Sequence, residues 1–511
     1  MQLGSSIRNG TLWIFAGNIS RRILEFIVGI ILARLLLPSD FGLLVAIQIF
    51  TGAAGFIAGG GMGQALIQSK DITPKDFHVV FTLQLAICSL IYFFFYFAAP
   101  WIAAWYDNPI YINLLRVSAL NFLIRPFFNI SSSKLNREMR FKSMSIIGLI
   151  SLIVTSSVTI TLALHHFGVW SLVYSGLIGS LFPAICLIFY SRCYPKFAYD
   201  KSIAKKLGAY GIKVSINDII EYLRNQTPNF LIGKFLGPSA VGLFNKGDSL
   251  SAYPVSIIAH STYQTIFRAL SATQENIDQC KYIYLRTVTL ATIYTFPFYI
   301  GLFWLAEPFI VIVYGEKWHA AAVPLQIFCI SQLFGCFGNA AGAVLAARNL
   351  LGTEIKIQLI TLFMAIAGCW YGVQHKNIDI IALGLIPSAI FLYFSVSYVA
   401  LRSVQANLGD LLIALKPAIL MNASLAAVLG LSDYLLTSLQ NGNLVAALKL
   451  NDYGLTLKAI TLSPEIYLIT LSAIGGLFYA IIFLYWPIQS LQKEAARWKK
   501  TLKLSSIAVA S

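Results

Sequence analysis

The sequence predicts an all-α polytopic membrane protein of about fourteen transmembrane helices, arranged as two pseudo-symmetric six-helix lobes plus a C-terminal helix pair. Three observations predict it. First, 58% of the 511 residues are hydrophobic and 11% are charged, with a mean hydropathy of +0.73, whereas soluble domains carry roughly 25% charge. Second, apolar runs of roughly 20 residues recur along the chain, each long enough to cross ~30 Å of hydrocarbon as a helix, where barrel strands would be half that length and alternating. Third, Ile31-Leu32-Ala33-Arg34-Leu35-Leu36-Leu37-Pro38-Ser39-Asp40-Phe41-Gly42-Leu43 aligns without a gap with Leu231-Ile232-Gly233-Lys234-Phe235-Leu236-Gly237-Pro238-Ser239-Ala240-Val241-Gly242-Leu243. Six expected spans separate the copies, so both run in the same direction across the membrane, as in parallel repeats.

In order, apolar length and breakers place spans at 12–36, 41–65, 79–100, 112–132, 144–164 and 168–190 in a first lobe, residues 1–200. A second lobe, 201–405, takes the spans at 213–236, 240–266, 283–306, 322–346, 355–373 and 379–400. Residues 406–511 hold the last two, 412–435 and 466–486, and a basic tail. The first span is expected to be retained, because Arg21, Arg22 and Glu25 interrupt it and no clean hydrophobic stretch leads to a small-residue cleavage site. The stretch from Arg192 to Lys213 reads as a basic linker, and Trp486 to Leu504 as either a basic interfacial helix or a solvated tail.

The net charge of +16 does not indicate nucleic acid, because basic residues alternate between the two sets of loops. One set holds Lys134, Arg137, Arg140 and Lys142, then Lys201, Lys205 and Lys206, and later the tail Lys493, Arg497, Lys499 and Lys500; the other has little beyond Lys317, Lys376, Lys449 and Lys458. By the positive-inside rule both termini are cytoplasmic. The seven cysteines are scattered through apolar segments without paired spacing, and His165 and His166 share a turn. No metal site and no cofactor are expected.

Charges inside apolar spans point toward function, since each costs at least ~2.5–3.5 kcal/mol at the centre of a bilayer and persists where it faces protein, water or ligand. Arg21 and Glu25 are four apart and share a helical face, with Arg22 about 100° away. The corresponding span of the second lobe carries Asp218, Glu221 and Arg224 at three-residue spacing. Arg125, followed by Pro126, and the pair Lys246 and Asp248 complete the deep set. Either a structural ion-pair network or a hydrated cavity accounts for single members; the set as a whole favours a cavity. Arg21, Arg22, Arg125, Arg224 and Lys246 outnumber Glu25, Asp218, Glu221 and Asp248 by one, and arginine suits bidentate phosphate or carboxylate contacts. Arg34, Arg116, Lys234 and Arg268 lie nearer span ends, within snorkelling reach of the interface. Gly59, Gly60, Gly61 and Gly63 read as a plain helix terminus or a bend. No Walker loop, no G-x-S-x-G and no long extramembrane segment provides an ATPase or enzyme domain.

The heptapeptide Leu37-Pro38-Ser39-Asp40-Phe41-Gly42-Leu43 resembles the Wzx-type polysaccharide transporters of the multidrug/oligosaccharidyl-lipid/polysaccharide exporter superfamily. So do Gly61-Met62-Gly63-Gln64-Ala65-Leu66-Ile67-Gln68, Leu135-Asn136-Arg137-Glu138-Met139-Arg140-Phe141-Lys142 and Val313-Tyr314-Gly315-Glu316-Lys317-Trp318. The resemblance covers the first twelve spans. It implies a V-shaped pair of six-helix bundles in a bacterial inner membrane that turns an undecaprenyl-pyrophosphate-linked oligosaccharide to the outer leaflet, without making a chemical bond. It also implies a cationic cavity for pyrophosphate and glycan: Arg21 and Arg22 match its first-helix arginines, whereas Arg125, Arg224 and Lys246 join by expected depth. Asp218 and Glu221 depart from an all-cationic picture. Expected partners are the lipid-linked oligosaccharide, H+ or Na+ as coupling ion, and polysaccharide polymerase or export machinery. One rival is a multidrug antiporter of the same superfamily, which favours an acidic cavity. The other is a lipid-linked-sugar glycosyltransferase with Asp40 as catalytic carboxylate, although Pro38-Ser39-Asp40 reads as a turn and its repeat counterpart is Ala240.

Overall fold

The computed structural model describes residues 20–59, 62–68, 72–192, 194–273, 276–348, 350–440, 463–485 and 491–501; within helices, side chains 64, 65, 68, 205–218, 256–268, 271–272, 351, 439–440 and 501 also lie outside the described set. The described chain is almost wholly helical. Helix α1 covers 20–35. It is followed by α2 (Pro38–Gly59), α3 (Met62–Gln68), α4 (Pro74–Trp105), α5 (Ile110–Arg137), α6 (Phe141–Leu164), α7 (Val169–Ser191) and α8 (Lys201–Phe235). Then come α9 (Pro238–Ala272), α10 (Ile277–Tyr314), a 3₁₀ turn (Glu316–Ala321), α11 (Ala322–Ala347), α12 (Leu351–Gln374), α13 (Ile378–Ser403), α14 (Leu408–Gln440), α15 (Pro464–Tyr485) and α16 (Gln492–Thr501).

Each expected span falls on one of the long helices, which generally extend beyond the apolar run that announced them; residues 12–19 of the first span lie outside the described residues. Helix ends are set by capping. At α4, Asp76 Oδ2 accepts from Thr73 N at 2.7 Å and Thr73 Oγ1 at 2.6 Å, with Pro74 as the first helical residue. At α8, Asp200 Oδ1 accepts from Ser202 N at 3.0 Å and Ile203 N at 3.3 Å. Asp40 Oδ2 accepts from Leu37 N at 2.9 Å at the start of α2, so this carboxylate closes the Pro-Ser-Asp turn.

Among the described residues, ten helices are long and apolar enough to cross a membrane. The long helices outside that set are α1, α5, α8 and α9. These four carry all nine singled-out charges: Arg21, Arg22 and Glu25; Arg125; Asp218, Glu221 and Arg224; Lys246 and Asp248.

The chain divides into two compact units, Met1–Asn245 with Ala365–Ile381, and Lys246–Met364 with Ala382–Ser511. The first unit packs α2, α4, α5 and α7 around Leu43, Ile47, Tyr111, Leu114, Leu115 and Phe122. It also takes in α8, assigned to the second lobe by the repeat, because Tyr222 donates its hydroxyl to the Gln48 carbonyl of α2 and Lys234 Nζ pairs with Asp107 at 2.8 Å. In the same unit the two repeat copies meet. A Cβ on Gly42 would fall inside the Pro238 carbonyl, and a Cβ on Gly242 inside the Pro38 carbonyl. Only glycine permits so close a reciprocal backbone approach, which explains the glycine shared by both copies.

The second unit packs α10, α11, α13 and α14 around Tyr284, Val288, Phe337, Val344, Leu401 and Leu411. The basic α16 is docked here: Arg286 Nη2 reaches Glu494 Oε1 at 2.7 Å, and Trp498 Nε1 donates to Tyr294 OH at 3.0 Å. Its segment, open between an interfacial helix and a solvated tail, is thus a helix fastened to α10.

Candidate functional site

A cavity of about 510 Å³ lies inside the first unit, walled by α2, α5, α7 and α8. This volume is within the ~300–1,000 Å³ typical of small-molecule sites. Helical periodicity builds each wall. On α2 the lining positions are 44, 47, 48, 51, 52, 55 and 56, which form one face; on α5 they are 118, 121, 122 and 125; on α8 they are 222 and 226.

Arg125 supplies the only formal charge among the described lining residues. Its guanidinium lies along α2 where glycines leave room: a Cβ on Gly55 would stand 2.8 Å from Nη1, and one on Gly59 3.3 Å from Nη2. Among the described residues it makes no hydrogen bond and no ion pair. One and two helical turns before it, the buried Asn121 Oδ1 and Ser118 Oγ also have no partner among the described residues, although Asn121 Nδ2 donates to Ser118 O at 3.1 Å. Gln48, Thr51, Tyr222 and Gln226 add amide and hydroxyl groups. Phe56 packs edge-on against Tyr222, with ring centroids 5.5 Å apart.

The other singled-out charges occupy different environments. Arg21 Nε contacts Glu25 Oε1 at 2.7 Å and Arg22 Nη1 contacts Glu25 Oε2 at 3.6 Å, both arginines being exposed. This is the pair that i,i+4 spacing predicts. Arg224 donates to the neighbouring Asn225 Oδ1 at 3.0 Å from Nη2. Glu221 is exposed, while the adjacent Tyr222 faces the cavity; the side chain of Asp218 lies outside the described residues. In the second unit Lys246 Nζ sits 4.3 Å from the centroid of Tyr314 and 5.1 Å from that of Trp318. The Val313–Trp318 motif therefore provides rings that hold a half-buried lysine. Asp248 is half-buried two residues further along α9. Among those of the nine whose side chains are described, Arg125 lines the first-unit cavity and the others do not.

The neutral members of this site, Gln48, Thr51, Ser118, Asn121, Tyr222 and Gln226, were not among the residues expected from sequence. A usable signal exists. Ser118, Asn121 and Arg125 share one face of α5 at three- and four-residue steps, and Tyr222 and Gln226 share one face of α8.

Comparison with known proteins agrees with this architecture. The chain is 24% identical over 310 residues to the Succinoglycan biosynthesis transport protein ExoT of Rhizobium meliloti (strain 1021), covering 60% of this chain and 63% of that one. It is 21% identical over 366 residues to the Lipopolysaccharide biosynthesis protein WzxC of Escherichia coli (strain K12), covering 70% and 73%. Among solved structures, its fold is similar to that of the lipid II flippase MurJ in an inward closed conformation, with a TM-score of 0.73 at 15% identity over 96% of this chain and 99% of that one. It is also similar to an inward-facing multidrug resistance MATE family transporter of the MOP superfamily, with a TM-score of 0.58 at 14% identity over 75% and 96%. The model of the family described as "Polysaccharide biosynthesis protein" matches residues 31–323, more than half of the sequence, and the chain belongs to that family.

Proposed function

We propose that this protein is a flippase that carries an undecaprenyl-pyrophosphate-linked oligosaccharide across the bacterial inner membrane. The observation that carries the reading is the cavity of the first unit: a sugar-sized space within a membrane bundle, walled by amides, hydroxyls, aromatic faces and one guanidinium without an anionic partner among the described residues. An apolar drug requires no such wall, and a cation would be repelled by Arg125. The names of the relatives, a succinoglycan transport protein and a lipopolysaccharide biosynthesis protein, support a saccharide cargo. The MurJ-like fold supports a lipid-linked one.

In this reading fourteen helices form two pseudo-symmetric lobes, 1–200 and 201–405, followed by the terminal pair within 406–511, with both termini cytoplasmic. The lobes alternate access to the two leaflets while the undecaprenyl chain stays in lipid. Arg21, Arg22 and Arg224 meet the anionic head group, and Arg125 meets the part of the substrate that enters the cavity. Glu25, Asp218, Glu221 and Asp248 balance these cations or take up the coupling ion, H+ or Na+. Lys246 is assigned to the scaffold of the second unit. The glycosyltransferase alternative loses its carboxylate, since Asp40 is occupied in closing the turn at Leu37. The cation antiporter alternative is disfavoured because, among the described residues, the charge lining the cavity is the guanidinium of Arg125 and none is acidic.

The test is translocation of a fluorescent undecaprenyl-pyrophosphate oligosaccharide in proteoliposomes under an imposed ion gradient. Wild-type protein is expected to transport it, and Arg21→Ala/Arg22→Ala is expected to lose transport despite normal insertion. A well-folded wild type that leaves the lipid in its original leaflet defeats the flippase reading.

A further inference from the structure

Helix α16 is fastened to the second unit by one face and presents a basic face on the other. The docked face is Leu491, just before the helix, with Ala495 and Trp498 at steps of four and three residues. Leu491 and Ala495 are buried, and Leu491 joins Ile293 of α10, Phe483 of α15 and Ala418 and Met421 of α14 in one cluster. Glu494, the one acidic residue of α16, is turned inward to Arg286, with 14% of its side chain exposed. On the opposite side Lys493, Arg497 and Lys500 follow at i, i+4 and i+7, all exposed. Arg497 leans on Glu494 at 3.3 Å, whereas Lys493 and Lys500 have no ion pair among the described residues.

The bundle fixes the level of this face. Thr289 of α10, which lies between the two α16 anchors Arg286 and Tyr294, donates its hydroxyl to Ala414 O of α14 at 2.9 Å. Helix α16 is therefore level with this stretch of α14, whose outer side is the exposed apolar set Leu412, Ile413, Ile419 and Leu420. Lys416 stands exposed among them. A lysine in an apolar, outward stripe is stable where its ammonium snorkels to the lipid headgroups. Trp498 and Tyr485, both exposed, are the amphipathic aromatics that collect at that level, and Lys499 Nζ lies 4.7 Å from the centroid of Tyr485. A nucleic acid or an acidic protein, approaching from water, has no use for the apolar stripe around Lys416. A phospholipid uses both parts, its phosphate on the cations and its acyl chains along the stripe.

We propose that α16 is a docking surface for acidic phospholipids of the leaflet it faces, with Lys493, Arg497, Lys500 and, from α14, Lys416 meeting headgroup phosphates. In the topology proposed above that leaflet is the cytoplasmic one; the binding itself depends on neither the topology nor the transported cargo.

The test is calorimetry on the purified full-length protein in a neutral detergent, titrated with short-chain phosphatidylglycerol or phosphatidylcholine. Wild type is expected to bind phosphatidylglycerol at least about tenfold more tightly. Lys493→Gln/Lys500→Gln, at two exposed positions, is expected to fall to the phosphatidylcholine level with an unchanged thermal midpoint, and Lys493→Arg/Lys500→Arg to keep the wild-type affinity. Lys142→Gln, which removes an exposed charge from the first unit, is expected to change nothing. Equal affinity of wild type for the two lipids overturns the proposal, as does a phosphatidylglycerol affinity that survives in folded Lys493→Gln/Lys500→Gln or falls equally in Lys142→Gln. Displacement of phosphatidylglycerol by inorganic phosphate at the same concentration reveals a site for small anions and overturns the lipid assignment. A polyglutamate peptide that binds wild type but not Lys493→Gln/Lys500→Gln, with the two lipids bound alike, gives the face to a protein partner instead.

Discussion

Arg125, in the first unit, and Lys246, in the other, are hard to tell apart in the sequence: each is a basic residue in a long helix that is otherwise fit for a membrane. Their surroundings differ. Lys246 is enclosed by the rings of Tyr314 and Trp318, and Trp318 is fully buried. The next residue, Gly247, lies so close to the backbone of Ala321 and Leu325 that a Cβ would stand 3.2 and 3.0 Å from their O and N atoms. Arg125 opens on a cavity and, among the described residues, has neither an anion nor a ring stacked over it. A cation already solvated by aromatic faces is part of the scaffold, whereas a cation with neither is provided for a ligand. Burial of charge alone does not separate structural from functional residues; the partner does.

The largest effect should come from dismantling the Lys246 enclosure. Trp318→Ala removes a fully buried indole and is expected to cost ~3–5 kcal/mol, seen as a large fall in the thermal midpoint in detergent. Arg125→Met provides the contrast. Removing a half-buried charge that has no counter-ion among the described residues is expected to leave that midpoint unchanged or raised while transport of the lipid-linked oligosaccharide falls. If Arg125→Met unfolds the protein as readily as Trp318→Ala, the distinction between the two cations fails.

Next in size is the glycine contact between the repeats. Gly42→Ala or Gly242→Ala forces two backbones apart and is expected to destabilise by ~1–3 kcal/mol, whereas Gly148→Ala, where nothing stands within 4 Å, should cost little. A smaller effect is expected from Gly55→Ala, whose methyl crowds Arg125 Nη1; it should slow transport of the lipid-linked oligosaccharide without lowering the midpoint.

The smallest effect is a pH dependence outside the membrane. Asp200 is held below the usual carboxylate range by its 2.7 Å hydrogen bond from Lys75, helped by the backbone N–H groups of Ile203 and Ser202. A depressed folded value means that its stabilisation is present above the ordinary carboxylate pKa of ~3.9 and is lost as pH falls through the lower folded value. Wild type should therefore lose a little stability below about pH 4, and Asp200→Asn should flatten that slope; identical acid profiles would contradict the assignment.

Much of the fold was legible because apolar length and turn chemistry are local. Pro38-Ser39-Asp40 read as a turn and is one, and Arg21 and Glu25 read as an i,i+4 pair and are one. Helix ends were less legible: the span at 213–236 lies on a helix that starts at Lys201, where Asp200 caps it well before the apolar run begins. The repeat was visible, but not that Gly42 and Gly242 press on each other's proline carbonyls, since about two hundred residues separate them. Charge pointed to Arg125. It did not point to Gln48, Tyr222 or Gln226, because a neutral polar side chain in a helix is cheap enough to occur for many reasons, and only the packing of α2 against α8 brings these beside the guanidinium.

The most direct test of the central claim is a side-by-side flipping assay of Arg125→Gln and Lys246→Gln in proteoliposomes matched for inserted, folded protein. The account predicts that Arg125→Gln is as stable as wild type but flips the lipid-linked oligosaccharide more slowly, while folded Lys246→Gln keeps the wild-type rate and melts earlier. A wild-type rate in Arg125→Gln together with a slowed rate in fully stable Lys246→Gln would contradict it.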